Sequence, residues 1–217
     1  MKRFLILAAM TTALVGTGVG LWRSDTLTPP AAAATIGKAA ILEDPVAPKV
    51  APKSYDITIV EFADYNCPYC RRMHPVIAAL IASDPKIRLV YRDWPIFGPV
   101  SVEAARAAIA SRWQGKHEAF NDALYVGAGK LDSATIRAAA NRAGVNWSRL
   151  QADLIKHKAD IDGLLARTNE QAPAIGLQGT PAFIIGPYLL PGALDLPTLR
   201  KAVAEARKSP NGPPKAP

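Results

Sequence analysis

The chain has 217 residues, a formal net charge of +8 and a sequence pI near 9.6, and 49% of its residues are hydrophobic. That composition can bury one substantial core, or one core with an inserted subdomain, and it excludes a disordered chain. The 26 Lys and Arg residues are scattered through helical stretches and a Pro-rich tail, which indicates a solvated basic surface and argues against a nucleic-acid partner.

Lys2 and Arg3 precede a mostly apolar run from Phe4 to Trp22, the layout of a secretory n-region and h-region. Residues 1–23 are therefore read as a signal peptide or signal anchor. Thr11, Thr12, Gly16, Thr17, Gly18 and Gly20 dilute the run below the apolarity of an ordinary spanning helix. Ala31 to Ala34 suit a peptidase, whereas Arg23 resembles the flank of an anchor; cleavage is expected, with retention in the inner membrane as the alternative. Either way Lys2 and Arg3 are expected to stay cytoplasmic and the remainder to be exported; the expected location is the periplasm. The absence of Cys near the end of the run excludes a lipid-modified N-terminal cysteine. Residues 24–38, rich in Pro, Ala and Thr, read as a linker.

Ala39 to Leu42 is expected as a short first strand, followed by a connection broken at Pro45, Pro48 and Pro52. Asp56 to Phe62 reads as a buried strand, because Ile57, Ile59, Val60 and Phe62 are apolar and mostly β-branched, with Glu61 as the exception. From Pro68 onward Met73, Val76, Ile77, Leu80 and Ile81 follow the i, i+3, i+4, i+7 spacing of a helix, and Pro75 should bend that helix near Arg71. Ile87 to Tyr91 is a second core strand, so a strand–helix–strand unit with a parallel pair is expected.

The segment from about 99 to 175 is helical in pattern, with Val102, Ala105, Ile109 and Trp113 on one stripe and Phe120 and Leu124 on another. Asp132 or Ser133 should cap a helix that Gly144 ends, and Asn146 a next one carrying Leu150, Leu154 and Ile155; Ile161, Leu164 and Leu165 continue the pattern. Ala182 to Ile185 and Tyr188 to Leu190 form a hairpin around Gly186-Pro187, Asp195 caps a last helix, and residues 208–217 read as a disordered tail.

Cys67 and Cys70, the only two cysteines, stand one helical turn apart at the start of the first long helix. So small a ring removes little unfolded-chain entropy, which points to redox chemistry rather than to a stabilising cross-link. A zinc half-site from Cys67, Cys70 and His74 lacks a fourth ligand, since His117 and His157 stand singly elsewhere; no metal or cofactor is therefore expected. Cu(I) held by the two thiolates would have only Met73 close by. A non-catalytic chaperone using an apolar groove around Tyr69, Trp94 and Pro181 is the alternative from another class.

The segments Val60-Glu61-Phe62-Ala63-Asp64-Tyr65-Asn66-Cys67-Pro68-Tyr69-Cys70 and Gly179-Thr180-Pro181-Ala182-Phe183, in this order of elements, resemble the DsbA-like branch of the thioredoxin fold. The resemblance covers about residues 39–207 and implies an α/β thioredoxin fold with an inserted helical subdomain, and an exported thiol–disulfide oxidoreductase. Cys67, at the positive end of a helix, should be the nucleophile, and Cys70 should resolve the mixed disulfide. The resemblance further implies that Glu61, six residues before Cys67, shuttles a proton for Cys70, with Asp64 as a weaker candidate. Thr180 and Pro181 resemble the Thr and cis-proline pair that faces the disulfide and pairs with extended substrate, and Pro68 and Tyr69 lie in the same substrate-contacting motif. Pro75 matches the helix-kinking proline of thioredoxins, and Arg71 and Arg72 are expected on an exposed helix face.

Strongly oxidising members usually carry His where this chain has Tyr69, so oxidation is expected only narrowly ahead of reduction or isomerisation. The implied partners are exported protein substrates and a membrane redox protein that resets the thiols. The short Pro-rich segment before the domain offers no dimerisation unit, and a monomer is expected.

Overall fold

A computed structural model describes residues 37–127 and 130–209. The leader (1–23), nearly all of the linker (24–38) and nearly all of the tail (208–217) lie outside the described residues.

The stretch expected as a first strand is instead a short helix, α1 (Lys38–Leu42). Ala39 and Ala40 favour a helical turn, and that turn buries the consecutive residues Ile41 and Leu42 in one cluster, 2% and 5% exposed. A strand would have sent them to opposite faces. The first strand is the two-residue β1 (Lys49–Val50), after Pro48.

The β-branched run Ile57-Thr58-Ile59-Val60 starts β2 (Ile57–Ala63), which is buried at every position and so forms the centre of the sheet. Helix α2 (Pro68–Ser83) carries the chain across to β3 (Ile87–Asp93), parallel to β2 in a register running from Ile57 opposite Ile87 to Ala63 opposite Asp93. Five helices follow: α3 (Pro99–Ser111), α4 (His117–Val126), α5 (Ser133–Arg142), α6 (Trp147–Lys156) and α7 (Lys158–Ala174). The chain then returns as β4 (Ala182–Ile185) on the free side of β2, turns at Gly186-Pro187 into β5 (Tyr188–Pro191), and ends in α8 (Leu196–Lys208). The strand order is β1-β3-β2-β4-β5, with the β2–β3 pair parallel and the others antiparallel.

Side-chain alternation divides the core in two. Ile57, Ile59, Ile87, Leu89 and Tyr91 pack against Met73, Ile77 and Leu80 of α2 and Leu199 and Val203 of α8. Val60, Phe62 and Val90 face the helical block, and Cys67 and Cys70 belong to that second cluster. The first turn of α2 therefore sits at the seam between the two cores.

Inside the block Asp132 closes a capping box with Thr135 and Asn146 accepts the Arg149 N–H at 2.9 Å, and at the start of α8 Asp195 accepts the Thr198 N–H at 2.8 Å, as the sequence predicts. The predicted stripes are corrected at Val102 and Ile155, which are 38% and 80% exposed. Helix α3 buries Ala104, Ala105, Ala107 and Ala108 with Ile109 instead, a small-residue face that lets neighbouring helices approach closely. Behind β3, the buried Asp44 carboxylate accepts from Arg92 at 3.2 Å and from Arg167 at 2.8 and 3.0 Å, which ties the N-terminal segment to α7.

Candidate active site

Cys67 is the N-cap of α2, with extended backbone (φ −80°, ψ 120°), and Pro68 takes the first helical position, where its missing N–H costs nothing. Both sulfurs are free thiols and both residues are 1% exposed. Pro68 and Tyr69 between them point outward, and the Arg72 guanidinium lies 4.4 Å from the centre of the half-exposed Tyr69 ring. The Cys67 thiol donates to the Thr180 carbonyl oxygen at 3.4 Å, a contact spanning 113 residues of sequence. The Thr180–Pro181 peptide is cis, and Pro181 is buried beside the start of β4. The two segments singled out in the sequence thus meet at the sulfurs.

The Cys70 thiol and the Glu61 carboxyl are both buried. Burial pushes the Cys70 thiol up. Glu61 lies on β2 between Tyr91 of β3 and Phe183 of β4, is 7% exposed, and is pushed up to about 7 by burial. A cavity of about 240 Å³ opens beside it, lined by Tyr91, His74, Ile77, Glu118 and Asp122 among others.

Asp64, the alternative proton carrier, is otherwise engaged. Its Oδ1 accepts the Asn66 N–H at 2.7 Å, and its Oδ2 accepts the N–H groups of Ile96 and Phe97 at 2.7 and 2.9 Å. Trp94 is core rather than groove: it is 4% exposed and donates through Nε1 to Asn169. The apolar residues left exposed around the motif are Tyr69, Ile96 and Phe97. Arg71 does not lie on a free face, because its guanidinium donates to the carbonyls of Tyr125 and Gly127 at 2.8 and 2.5 Å. His74 is turned to Asp122 at 3.3 Å and stacks on Tyr125, away from a joint site with the thiols. Among the described residues no group of three His, Cys, Asp or Glu side chains is placed to hold a metal ion.

Sequence reading missed Asp93, 4% exposed and pushed up to about 8, chiefly by burial. The signal was available: it follows Ile87, Leu89 and Tyr91 at alternate positions, but the strand was expected to stop at Tyr91.

A sequence profile for the DSBA-like thioredoxin domain matches residues 58–204. A thioredoxin-like oxidoreductase from Silicibacter pomeroyi DSS-3 is 40% identical, with a TM-score of 0.75 over 80% of this chain and 99% of that one. A periplasmic thioredoxin-like protein from Salmonella enterica serovar Typhimurium is 30% identical, with a TM-score of 0.72 over 79% and 95% of the two chains. The thiol-disulfide exchange protein alpha-DsbA2 from Wolbachia pipientis is 27% identical, with a TM-score of 0.74 over 81% and 95%. The curated relatives it matches include Na(+)/H(+) antiporters, and the chain spans 25% of the length of the one from Salinispora tropica. Among the described residues no helix is long and apolar enough to cross a membrane.

Proposed function

This chain belongs to the family of DsbA-like thioredoxin domains, and from that premise we propose that it is a thiol–disulfide oxidoreductase that oxidises exported proteins in the periplasm through Cys67 and Cys70. The observation that carries this reading is the approach of the Cys67 thiol to the Thr180 carbonyl at 3.4 Å, beside a cis proline that has no N–H to offer. An extended client segment paired with the backbone at Thr180 would bring its own sulfur to Cys67 by strand addition.

In the oxidising direction a client thiolate attacks Cys67 Sγ of the Cys67–Cys70 disulfide. The S–S bond breaks, the client–Cys67 disulfide forms, and Cys70 leaves as a thiolate that takes a proton from Glu61. A second client thiolate then attacks the client sulfur, the client–Cys67 bond breaks and Cys67 departs as a thiolate, so that the client leaves oxidised and the enzyme reduced. A membrane redox partner removes those two electrons. Cys67 is the attacking and attacked sulfur because it stands at the N-cap of α2 with its sulfur at the Thr180 carbonyl, where the client segment pairs. Pro68 and Tyr69 form the rim that meets the client, and the domain works as a monomer. Export rests on the charged and apolar leader, together with the periplasmic setting of the Salmonella neighbour.

Reduction or isomerisation is the second reading, favoured by the uncharged, outward-facing Tyr69. Insulin reduction and refolding of a scrambled disulfide substrate test the class: Cys67→Ser should abolish both, and full activity in that variant would refute it. Equilibration with glutathione tests the direction. A potential near the roughly −120 mV of strong oxidants fits oxidation, whereas roughly −200 mV or lower fits reduction or isomerisation.

A further inference from the structure

We infer that Asp93 shares with Glu61 the proton that Cys70 gives up or takes back, so that two buried carboxyls, rather than Glu61 alone, handle protons at this site. The inference rests on the thiol-exchange reading above and holds for either redox direction.

The parallel register sets Glu61 opposite Tyr91 and Ala63 opposite Asp93. Glu61 and Asp93 therefore stand on the same face of neighbouring strands as diagonal neighbours, at the end of β2 that leads into the cysteine turn. Both are nearly sealed from solvent, 7% and 4% exposed. Asp93 Oδ2 is buried and has no hydrogen-bond partner among the described residues. An ionised oxygen in that position is costly unless a cation answers it. The adjacent Arg92 is committed to the opposite face, where Asp44 and Gln171 hold it.

Two carboxyls on one buried face, neither ion-paired among the described residues, cannot both ionise cheaply, so the pair keeps one proton across neutral pH. Their elevated values, about 7 for Glu61 and about 8 for Asp93, agree, and the charge of Glu61 is among the influences raising Asp93. Two buried phenols lie near the pair. Tyr65 lies beside Asp93 and donates to Asn121 at 3.0 Å, and Tyr125, its ring 4.9 Å from that of Tyr65, lies within electrostatic reach of Cys70, Glu61 and Asp93. Asp64 and Arg92 also face Asp93 electrostatically, and His74, Glu118 and Asp122 line the cavity beside Glu61, its route to water.

The exchange balances in both directions. When Cys70 leaves a disulfide as a thiolate, the proton held by the pair moves to its sulfur and the pair becomes doubly ionised until water reprotonates it through the cavity. When the Cys70 thiol attacks a client–Cys67 disulfide, its proton moves to the ionised member of the pair, the Cys67–Cys70 bond forms, and the client sulfur departs as a thiolate. A one-proton pair serves as acid or base without rearrangement. Asp93 acts through Glu61 and is in that sense a positioning residue for the proton.

The test is single-turnover resolution of a preformed client-peptide–Cys67 mixed disulfide between pH 5 and 9, in the wild type, Glu61→Gln, Asp93→Asn and the double variant. Asp93→Asn should slow resolution about tenfold at pH 7 and move the midpoint of the profile down by about half a unit or more, because the remaining carboxyl no longer feels a like charge. The double variant should be flat over that range and less than multiplicatively slower than the singles. Infrared spectroscopy should find a buried protonated-carboxyl band at neutral pH that Asp93→Asn shifts and the double variant abolishes. If Asp93→Asn keeps the wild-type midpoint and band while Glu61→Gln abolishes both, Glu61 works alone and the inference fails. If neither substitution moves the profile but Cys70→Ser still traps the mixed disulfide, the inference fails and the thiol reading stands. Failure of Cys70→Ser to trap would remove the thiol reading itself.

Discussion

Asp64 and Phe97 are joined by a 2.9 Å hydrogen bond from the Phe97 N–H to Asp64 Oδ2, and the same oxygen holds the Ile96 N–H at 2.7 Å. The Asn66 side chain returns the connection by donating to the Phe97 carbonyl at 3.2 Å. Two exposed apolar side chains, Ile96 and Phe97, are thereby fixed beside the turn that carries Cys67.

Asp64→Ala should consequently cost about 2–4 kcal/mol, since three backbone donors lose a charged acceptor at once. Urea unfolding measures it. Asp64→Asn, which keeps one acceptor oxygen, should cost less than Ala; equal losses would show that the carboxylate does not staple the loop.

Glu61 makes stability depend on pH in a definite direction. Burial raises its folded-state value from 4.5 to about 7, so the folded protein binds the proton more tightly than the unfolded chain. Its contribution is fully present below pH 4.5 and is lost as pH rises through about 7. Glu61→Gln should therefore be more stable than the wild type at pH 8, by about 3 kcal/mol, and nearly equal to it at pH 4. Thermal melts at the two pH values check this; a variant less stable at pH 8 would contradict it.

Asp44 works in the opposite sense. Burial alone would raise it, but the Arg167 guanidinium and the Val46 N–H hold its carboxyl below the usual range, so its contribution is lost as pH falls. Asp44→Ala leaves Arg92, 0% exposed at its side chain, without its carboxylate partner. The expected cost is about 3–5 kcal/mol, measured by denaturant at pH 7. A loss under about 1 kcal/mol would show that Gln171 alone satisfies the guanidinium.

Gly186→Ala should destabilise by about 2 kcal/mol or more. Its φ is +55°, and an added Cβ would stand 2.7 Å from the Ala206 Cβ of α8, so both backbone and packing resist it. A melting temperature unchanged in the variant would mean that the hairpin and α8 separate more easily than this contact implies.

The fold was legible wherever spacing and punctuation agree. The strand–helix–strand unit, the Asp132, Asn146 and Asp195 caps and the Gly186-Pro187 hairpin all carry local signals, and the structure holds each. Ala39 to Leu42 misled because a four-residue apolar run has no readable period, and tertiary burial of Ile41 with Leu42 decided it. Val102 misled because stripe arguments weigh size, whereas alanines make the α3 contact; α6 buries Leu150 and Asp153 and leaves Ile155 outside. At the site, Cys67 and Thr180 were legible through motifs 113 residues apart. Asp93 was legible in the alternation of β3 but lay beyond the expected end of that strand, and Tyr65 and Tyr125 were not, because no spacing in the chain reveals that Asn121 and Tyr125 of α4 come to the ring of Tyr65. The same holds for Arg71, whose acceptors are backbone carbonyls that any sequence supplies.

That arginine gives α2 an uneven mechanical character. Pro75 has no N–H, so the carbonyl of Arg71 loses its partner in the helical ladder and the first turn is weakly spliced to the rest of the helix. The Arg71 side chain meanwhile grips the C-terminal carbonyls of α4. The turn bearing Cys67 and Cys70 is thus suspended between two bodies, and it draws its rigidity from the helical block more than from its own helix. Amide exchange at Cys70 and Arg71 should then report opening of α4 rather than fraying of α2, making the inserted helices the anchor of the proposed redox centre as well as its cover.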